Sequence, residues 1–424
     1  MIWIYRLLFL PIFVVFLLKN LPKMLKRGGY GIDLRHRLGL FPRLPKKKKK
    51  RLWIQAVSVG EVNAIAHLLA LLDEHYEVVL TTTTPTARKI ISEKFAKNVI
   101  FHGYFPWDFW PFSWFAWQHI HPDGAFLVES ELWPEHIWQA KRRKIPIFII
   151  NARLSHHSFR HYKKFSKLAR WIFEKIDFIS ASSEQNRERI AAFYGKVIEH
   201  FGNMKFDFPT ELLSHEMRKN LKKELGFSEN SLVLVGCSTW PGEEAMLLEA
   251  FRATKVRKNK TSYNLLLVPR HAERRGELVR WLEDENVSFW QRSKGIAKDL
   301  FDVCLADTTG ELARLVQVAD LVYVGKSLAP NAGGQSPLDA AMVGVSVVYG
   351  NRMTNFYDIC TQLEQEKAAV KVENEKEAIN TIIELMENAE KRRVLSNNIS
   401  NWFESHREAS AKTCDFIRSK LSGK

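Results

Sequence analysis

Residues Ile2 to Leu18 are almost all apolar, and from Arg51 onward short apolar, β-branched runs alternate with longer amphipathic stretches. The later alternation predicts parallel strands covered by helices. A strand packed on both faces must be apolar along its length, whereas its crossover helix needs only an apolar stripe. In the first half the predicted strands are Leu52 to Val57, Glu77 to Thr82, Asn98 to His102, Ala125 to Val128, Pro146 to Ile150, Phe178 to Ala181 and Val197 to Phe201. A second set comprises Ser231 to Cys237, Asn264 to Val268, Val303 to Ala306, Leu321 to Val324 and Val345 to Tyr349. A polar, helical stretch around Asn203 to Ser228 separates the sets as a hinge. The fold class is therefore α/β, with two doubly wound, Rossmann-like lobes facing a cleft and ligands expected beyond the carboxyl ends of the strands. The expected boundaries are an anchor and basic flank over 1–27, lobes over 28–210 and 211–400, and an amphipathic helix within 401–424 that packs back across the lobes.

The apolar opening is broken by Arg6 and Pro11 and followed by Lys19, Lys23, Lys26 and Arg27. A bilayer-crossing helix takes roughly 20 apolar residues, so a tilted span, a thinned bilayer and a shallow interfacial helix all stay open. No small-residue cleavage site follows, and most of the positive charge lies after the apolar run, unlike a secretory signal. The positive-inside rule then keeps the bulk of the protein in the cytoplasm.

At 424 residues and 46% hydrophobic content the chain can bury more than one core. Its 63 Lys and Arg against 47 Asp and Glu leave a formal charge of +16, which favours a polyanionic partner: nucleic acid, anionic lipid or phosphorylated substrate. The run PKKKKKR from Pro45 to Arg51 lies shortly after the anchor, where each Lys near an anionic leaflet contributes about 1 kcal/mol. Membrane docking outweighs nucleic acid, for which no fingerprint occurs elsewhere in the chain. Cys237, Cys304, Cys360 and Cys414 are far apart, with no CxxC pair and no His spacing for zinc, so they read as reduced, buried thiols and no metal is expected.

Chemistry-bearing residues cluster where the strands end. Ser58-Val59-Gly60-Glu61 follows the first strand and leads into a helical run. A glycine there lets backbone approach ligand closely and the carboxylate is aimed outward, although a Glu at a helix N-terminus also simply stabilises the helix dipole. Glu129 and Glu131, two residues apart after the strand ending at Val128, project to the same side, so they raise each other's pKa or share a donor. Arg153, in NARLS, is either a structural tie to those acids or a contact to an acidic sugar. In the second half, Ser238 to Glu244 offers hydroxyls and free backbone N–H groups to a phosphate. Arg270 and His271 end the next strand as a cation cluster, and a bidentate guanidinium suits a departing phosphate. The loops Asp307 to Leu312, Gly325 to Ser327 and Ala332 to Asp339 complete the set: glycines allow close approach, Ser336 can cap the helix starting at Pro337, and Asp339 can reach ribose hydroxyls.

These stretches resemble the Kdo transferases of lipopolysaccharide assembly, which move 3-deoxy-manno-octulosonic acid (Kdo) from its CMP derivative onto lipid A precursor. The matching runs are AVSVGE (Ala56 to Glu61), TTTTPTA (Thr81 to Ala87), ESELWP (Glu129 to Pro134), NARLS with Ser158 and Tyr162, GNMKFD (Gly202 to Asp207), PGEE (Pro241 to Glu244), PRHAER (Pro269 to Arg274), DTTGEL (Asp307 to Leu312) and GGQSPLD (Gly333 to Asp339). They span nearly the whole chain in the family's order. The resemblance implies a GT-B fold and inverting transfer that needs neither metal nor cofactor. Glu61 would be the general base, with Glu131 and Glu129 orienting the acceptor or Glu61 itself. The implied substrate- and CMP-binding set is Ser58, Gly60, Arg153, Lys205, Ser238, Glu243, Arg270, His271, Gly310, Glu311, Leu312, Ser327, Gly334, Ser336 and Asp339. Implied partners are CMP-Kdo, the lipid A precursor lipid IVA and anionic inner-membrane lipids, at the cytoplasmic face of a cell inner membrane. The sequence departs from the family's pattern at Gln55 and Gln335, where histidines are usual, at Trp240 for a histidine, at Lys326 for a glycine and at Asp339 for a glutamate. Two alternatives stay open: another membrane-associated GT-B transferase acting on a UDP-sugar, and a catalytically inactive, membrane-tethered binding protein.

Overall fold

β1 (Arg51–Gln55) is buried along its whole length and is the strand from which the first sheet grows in both directions. The computed structural model describes residues 1–9, 11, 13–15, 34–207, 212–257 and 262–422. With β2 (Glu77–Thr82), β3 (Phe101–Tyr104), β4 (Gly124–Val128), β5 (Ile147–Ala152), β6 (Phe178–Ala181) and β7 (Ile198–His200), β1 forms a parallel sheet in the order β3-β2-β1-β4-β5-β6-β7. Succession reverses between β1 and β4, whose register pairs Gln55 with Leu127. Crossover helices leave in opposite directions from these two strands, which opens a crevice at their carboxyl ends.

The second sheet contains β8 (Leu232–Thr239), β9 (Tyr263–Pro269), β10 (Phe289–Gln291), β11 (Val303–Leu305), β12 (Leu321–Val324), β13 (Val347–Gly350) and β14 (Ala369–Val372). All pairs are parallel and the order is β10-β11-β9-β8-β12-β13-β14, which puts this sheet's switch point between β8 and β12. The edge strands β10 and β14 escape the sequence pattern. Both are short and partly exposed, so neither carries the continuous apolar run that marks a buried parallel strand. The strand predicted over Asn98 to His102 begins only at Phe101, because residues 96–98 close a 3-10 turn.

Contacts divide the chain into one unit of Met1–Pro209 with His406–Lys424 and another of Thr210–Ser405. The segment predicted as a single element over 401–424 is therefore divided. Residues to Ser405 finish the helix Ala389–Ser405 of the second unit, and a separate helix, Ala409–Leu421, belongs to the first. The break is at Glu408, whose φ is 75°. Asp207 stands in for a cap, accepting from the N–H groups of Glu408 at 2.7 Å and Ser410 at 2.5 Å. Ile417 and Leu421 then bury themselves against the Ala66–Asp73 helix, each contributing about 1.5–3 kcal/mol relative to exposure. Within the predicted hinge, Met204–Asp207 is a 3-10 turn of the first unit and His215–Glu224 a helix of the second.

Residues 2–9 are helical and pack on the first unit. No helix among the described residues is long and apolar enough to cross a membrane; residues 16–27 of the expected anchor and flank lie outside the described residues. The four cysteines are free and buried.

Candidate active site

At the switch point of the first unit the chain leaves β1 through Ala56 and Val57 and enters the helix Val59–Ala64. Ser58 caps that helix, its hydroxyl oxygen accepting from Glu61 N at 3.3 Å. The Glu61 carboxylate reaches back to accept from Val57 N–H at 2.8 Å and from the Ser58 hydroxyl at 3.0 Å. Val57 is itself held, since its carbonyl accepts from the hydroxyls of Thr82 at 2.9 Å and Thr83 at 3.2 Å. Glu61 is 8% exposed. Burial pushes its carboxyl up to about 7; the charges of Glu129 and Glu131 add to this, against the Val57 and Ser58 hydrogen bonds. It is thus buried with polar partners just beyond the end of β1.

The other two acids follow β4. Glu129 has a φ of 60°, in the left-handed region that side chains occupy only when neighbours over-determine it. Its N–H is tied to Ile150 O at 3.0 Å. Its carboxylate meets Lys205 Nζ at 2.7 Å and Arg153 Nη1 at 3.7 Å. Arg153 is thus within ion-pair reach of Glu129, one of the two roles expected of it. Lys205 is delivered by the Met204–Asp207 turn, which hangs from Asn151: Met204 N donates to the Asn151 side-chain oxygen at 3.1 Å. Glu131 has no such ion pair among the described residues, and burial, followed by the Glu129 charge, raises its carboxyl. Burial and the Glu131 charge also push the Tyr162 hydroxyl up, and Tyr162 lines a small pocket with Glu129, Ser130 and Arg153. The ends of β1, β4 and β5 thus gather Ser58, Gly60, Glu61, Glu129, Glu131, Arg153 and Lys205. The arrangement splits the acids into one paired with cations and two that resist ionisation, which is how a site keeps a carboxyl titrating near neutrality.

The switch point of the second unit is built from strained backbone. Ser238, near the end of β8, has a φ of 55° and Lys326, after β12, a φ of 61°. Between them Gly325 cannot be replaced, because a Cβ there would lie 2.4 Å from Ser238 O and 2.8 Å from a Glu243 carboxylate oxygen. The backbone N–H groups expected to face a phosphate are already used in part. Glu243, 4% exposed, accepts from the N–H groups of Trp240 at 2.9 Å, Lys326 at 2.9 Å and Ser327 at 3.1 Å. Ser327, fully buried, donates to Val324 O at 2.6 Å and accepts from Gly350 N at 2.9 Å. These two residues hold the loops around the switch point together through their internal hydrogen bonds.

Arg270 and His271 are exposed after β9, with Arg270 N bonded to Thr239 O at 3.1 Å. The His271 ring meets Trp240 edge-on at 5.3 Å, and Lys326 Nζ lies 4.4 Å from the Trp240 ring centre. Two departures from the family pattern are thus in contact with one another. After β11, Gly310 is exposed and Leu312 begins a short helix. Glu311 pairs with Arg292 at 3.2 Å; burial raises its carboxyl, but the Thr308 hydroxyl and Arg292 outweigh that and hold it below the usual range. Gly334 N donates to Lys326 O at 2.9 Å, and Ser336 Oγ accepts from Leu338 N at 3.2 Å, but the helix begins at Leu338 with Pro337 at its N-cap position, one residue later than expected. Asp339 lies in the first turn of the Leu338–Ala341 helix, where burial pushes its carboxyl up to about 6. Among the described residues no three His, Cys, Asp or Glu side chains are grouped so as to hold a metal ion.

The family model for "3-Deoxy-D-manno-octulosonic-acid transferase (kdotransferase)" matches residues 33–208. The 3-deoxy-D-manno-octulosonic acid transferase of Haemophilus influenzae is 30% identical over 93% of this chain and 93% of its own length. The chain belongs to the Kdo transferase family. It is a glycosyltransferase. The enzyme of the same description from Bordetella pertussis is 27% identical over 89% of each chain. Among solved structures, Anabaena HepE in complex with UDP aligns with a TM-score of 0.56 at 16% identity, covering 89% of this chain and 100% of that one. The fold is thus two parallel-sheet α/β lobes resembling GT-B glycosyltransferases.

Within this Kdo transferase the supporting residues were harder to foresee than the acids. Thr82, Thr83 and Asn151 hold the backbone that carries Glu61 and Lys205, and only the unusual run of hydroxyls in TTTTPTA hinted at such a role. Gln55 is 1% exposed and accepts from the Thr81 hydroxyl at 2.9 Å, directly beneath the turn that carries Ser58.

Proposed function

We propose that this Kdo transferase moves Kdo from CMP-Kdo onto lipid IVA with inversion at the anomeric carbon, and that Glu61 is the general base. The observation that carries the reading is the buried Glu61 carboxylate at the switch point of the first unit, held by Val57 and Ser58 beside two further acids, where burial pushes it up to about 7. A base matched to neutral pH exchanges protons most effectively there and accelerates transfer roughly 10²- to 10⁴-fold.

In the proposed step an acceptor hydroxyl gives its proton to Glu61, and its oxygen pair forms the new bond to the anomeric carbon of Kdo. The bond from that carbon to the phosphate oxygen breaks on the opposite face, and CMP leaves with the electron pair. Glu131 orients the acceptor hydroxyl, while Glu129, neutralised by Lys205 and Arg153, keeps the pocket's charge balanced. Arg270, His271 and Lys326 bind the donor's anionic groups, and preorganised cations of this kind stabilise charge that develops on the leaving phosphate. The enzyme works at the cytoplasmic face of the inner membrane, in keeping with its apolar opening and positive charge.

The test is incubation of the purified chain with CMP-Kdo and lipid IVA, with product mass read by spectrometry. Lipid enlarged by Kdo residues, with release of CMP and loss of at least 100-fold in Glu61→Gln, is the expected result. Turnover of UDP-sugars instead, or an unchanged rate in Glu61→Gln, overturns it.

A further inference from the structure

The corner after β3, Phe105 to Asp108, is bonded to the backbone around both Glu61 and Glu131. Phe105 N donates to Thr82 O at 2.8 Å, and the Thr82 hydroxyl in turn donates to the carbonyl of Val57, whose N–H holds Glu61. Three residues on, the Asp108 carboxylate accepts from Glu135 N at 3.2 Å and His136 N at 3.0 Å. These N–H groups belong to the first turn of the helix Pro134–Arg142, for which its own N-cap residue, Trp133, supplies no side-chain bond. Trp133 stands two residues after Glu131 and rests on Phe105, with ring centres 5.2 Å apart. Burial raises the Glu131 carboxyl, and the Trp133 side chain offsets part of that rise. Asp108 is therefore a remote cap that fixes where the Glu131 loop ends and the helix begins.

Asp108 and Glu135 are themselves held by the opening residues. Tyr5 donates to an Asp108 carboxylate oxygen at 2.5 Å, and Arg6 makes a two-point ion pair with Glu135, both contacts at 2.8 Å. Phe9 stacks on Phe109, one residue past Asp108. Glu135 is fully buried and Asp108 is 2% exposed, so neither carboxylate has bulk water to turn to. Gln139 also donates to Glu135, at 2.7 Å, but Arg6 supplies the positive charge. A buried carboxylate stripped of its cation is strongly disfavoured, and the head of the helix would have to shift outward to bring Glu135 to water.

We propose that Tyr5 and Arg6 are positioning residues for Kdo transfer: docked through Asp108 and Glu135, they set the head of the Pro134–Arg142 helix and with it the place of Glu131 relative to Glu61. Neither residue touches substrate. The opening segment acts as a strap that completes the acid side of the site, so a chain whose opening is undocked folds but transfers slowly. This rests on the roles given above to Glu61 and Glu131.

The test uses the full chain with CMP-Kdo and detergent-dispersed lipid IVA, so that attachment to a lipid surface does not enter the rate. Arg6→Met should lower kcat roughly tenfold, within the range that a small displacement of a catalytic group produces, and Tyr5→Phe should lower it severalfold. Calorimetric titration with CMP should give wild-type stoichiometry and affinity in both variants, which shows that they are folded. The acid limb of log(kcat/KM) should move to lower pH in Arg6→Met, because a displaced Glu131 repels Glu61 less. A mere loss of folded protein scales the rate and leaves the limb where it was. Adding Glu135→Gln to Arg6→Met removes the stranded charge and should restore about half or more of the lost kcat. In Tyr5→Phe, hydrogen exchange should quicken at residues 131–136 and stay unchanged in β6. Leu7→Ser, at a side chain 76% exposed on the same helix, should match wild type. A wild-type kcat and pH limb in Arg6→Met, or an equal loss in Leu7→Ser, overturns the proposal. No transfer by the wild-type chain sinks the proposed reaction, whereas unchanged exchange at 131–136 in Tyr5→Phe sinks the positioning whether or not transfer is seen.

Discussion

The Lys205 ammonium stands 2.7 Å from the Glu129 carboxylate, and that pairing distinguishes three acids that sequence alone leaves equivalent. Glu129 is thus the acid of the three that is paired with cations, Lys205 and Arg153. Glu61 and Glu131, both raised by burial, feel its charge as repulsion. The result is a cation-paired acid beside a Glu61 carboxyl that burial pushes up to about 7.

The rate should follow the ionised fraction of Glu61. With a carboxyl at about 7, log(kcat/KM) should rise with unit slope below about pH 7 and level off above it. A profile already flat from pH 5 would remove Glu61 as the titrating base.

Its neighbours should move that limb in opposite directions. Glu131→Gln removes a repelling charge, so the limb should shift to lower pH. Lys205→Met leaves Glu129 less balanced, so the limb should shift to higher pH. Each shift should be about 0.5–1 unit, since one unit corresponds to about 1.4 kcal/mol and these are single charges in a partly solvated site. Equal shifts in one direction would contradict the arrangement of charges.

Stability carries the same signature. The folded-state value of Glu61, about 7, lies above the unfolded value of about 4.3. The preference of the native state for the neutral form is therefore complete below about pH 4.3 and is lost as pH rises to about 7. Glu61→Gln keeps a neutral side chain throughout. Its stability relative to wild type should grow between pH 5 and pH 8, by roughly 1–2 kcal/mol after allowance for solvent screening. Calorimetric scans of both proteins at the two pH values check this, and a difference that does not change with pH would count against it.

Lys326 combines a strained backbone with a useful charge. Glycine at this left-handed position should raise the stability of the second unit by about 1 kcal/mol. The same substitution removes the ammonium poised over Trp240 and should weaken CMP binding roughly tenfold, the worth of one charge-assisted contact. Thermal scans and calorimetric CMP titration of Lys326→Gly read the two effects separately. Unchanged CMP affinity would show that the ammonium does not touch the donor.

Asp207→Ala should loosen the last helix. It removes the acceptor for two backbone N–H groups at the start of Ala409–Leu421, a loss of about 1–2 kcal/mol. Hydrogen exchange should show faster opening of residues 409–421 with little change around β8, because that strand belongs to the other unit.

The sequence by itself determined the elements whose signals are local. Runs such as IFII before NARLS, or LVYV before GKS, are apolar because a parallel strand is covered on both faces, and the polar residues after them mark strand ends at which ligands gather. That was enough to place most strands, both lobes and the acids of the first. What only the tertiary structure decided depends on distances between residues remote in the chain. Glu129 became the paired acid because the Met204–Asp207 turn, hung from Asn151, brings Lys205 to it. Glu243 became a brace because β8 and β12 lie side by side and their loops needed an acceptor for three N–H groups. The segment after Asn401 was divided because Asp207 supplies a helix start at Glu408 that no local pattern announces. Charge and hydrogen-bond capacity are written in each residue, but which group receives them is set by proximity in space, and proximity is a property of the fold.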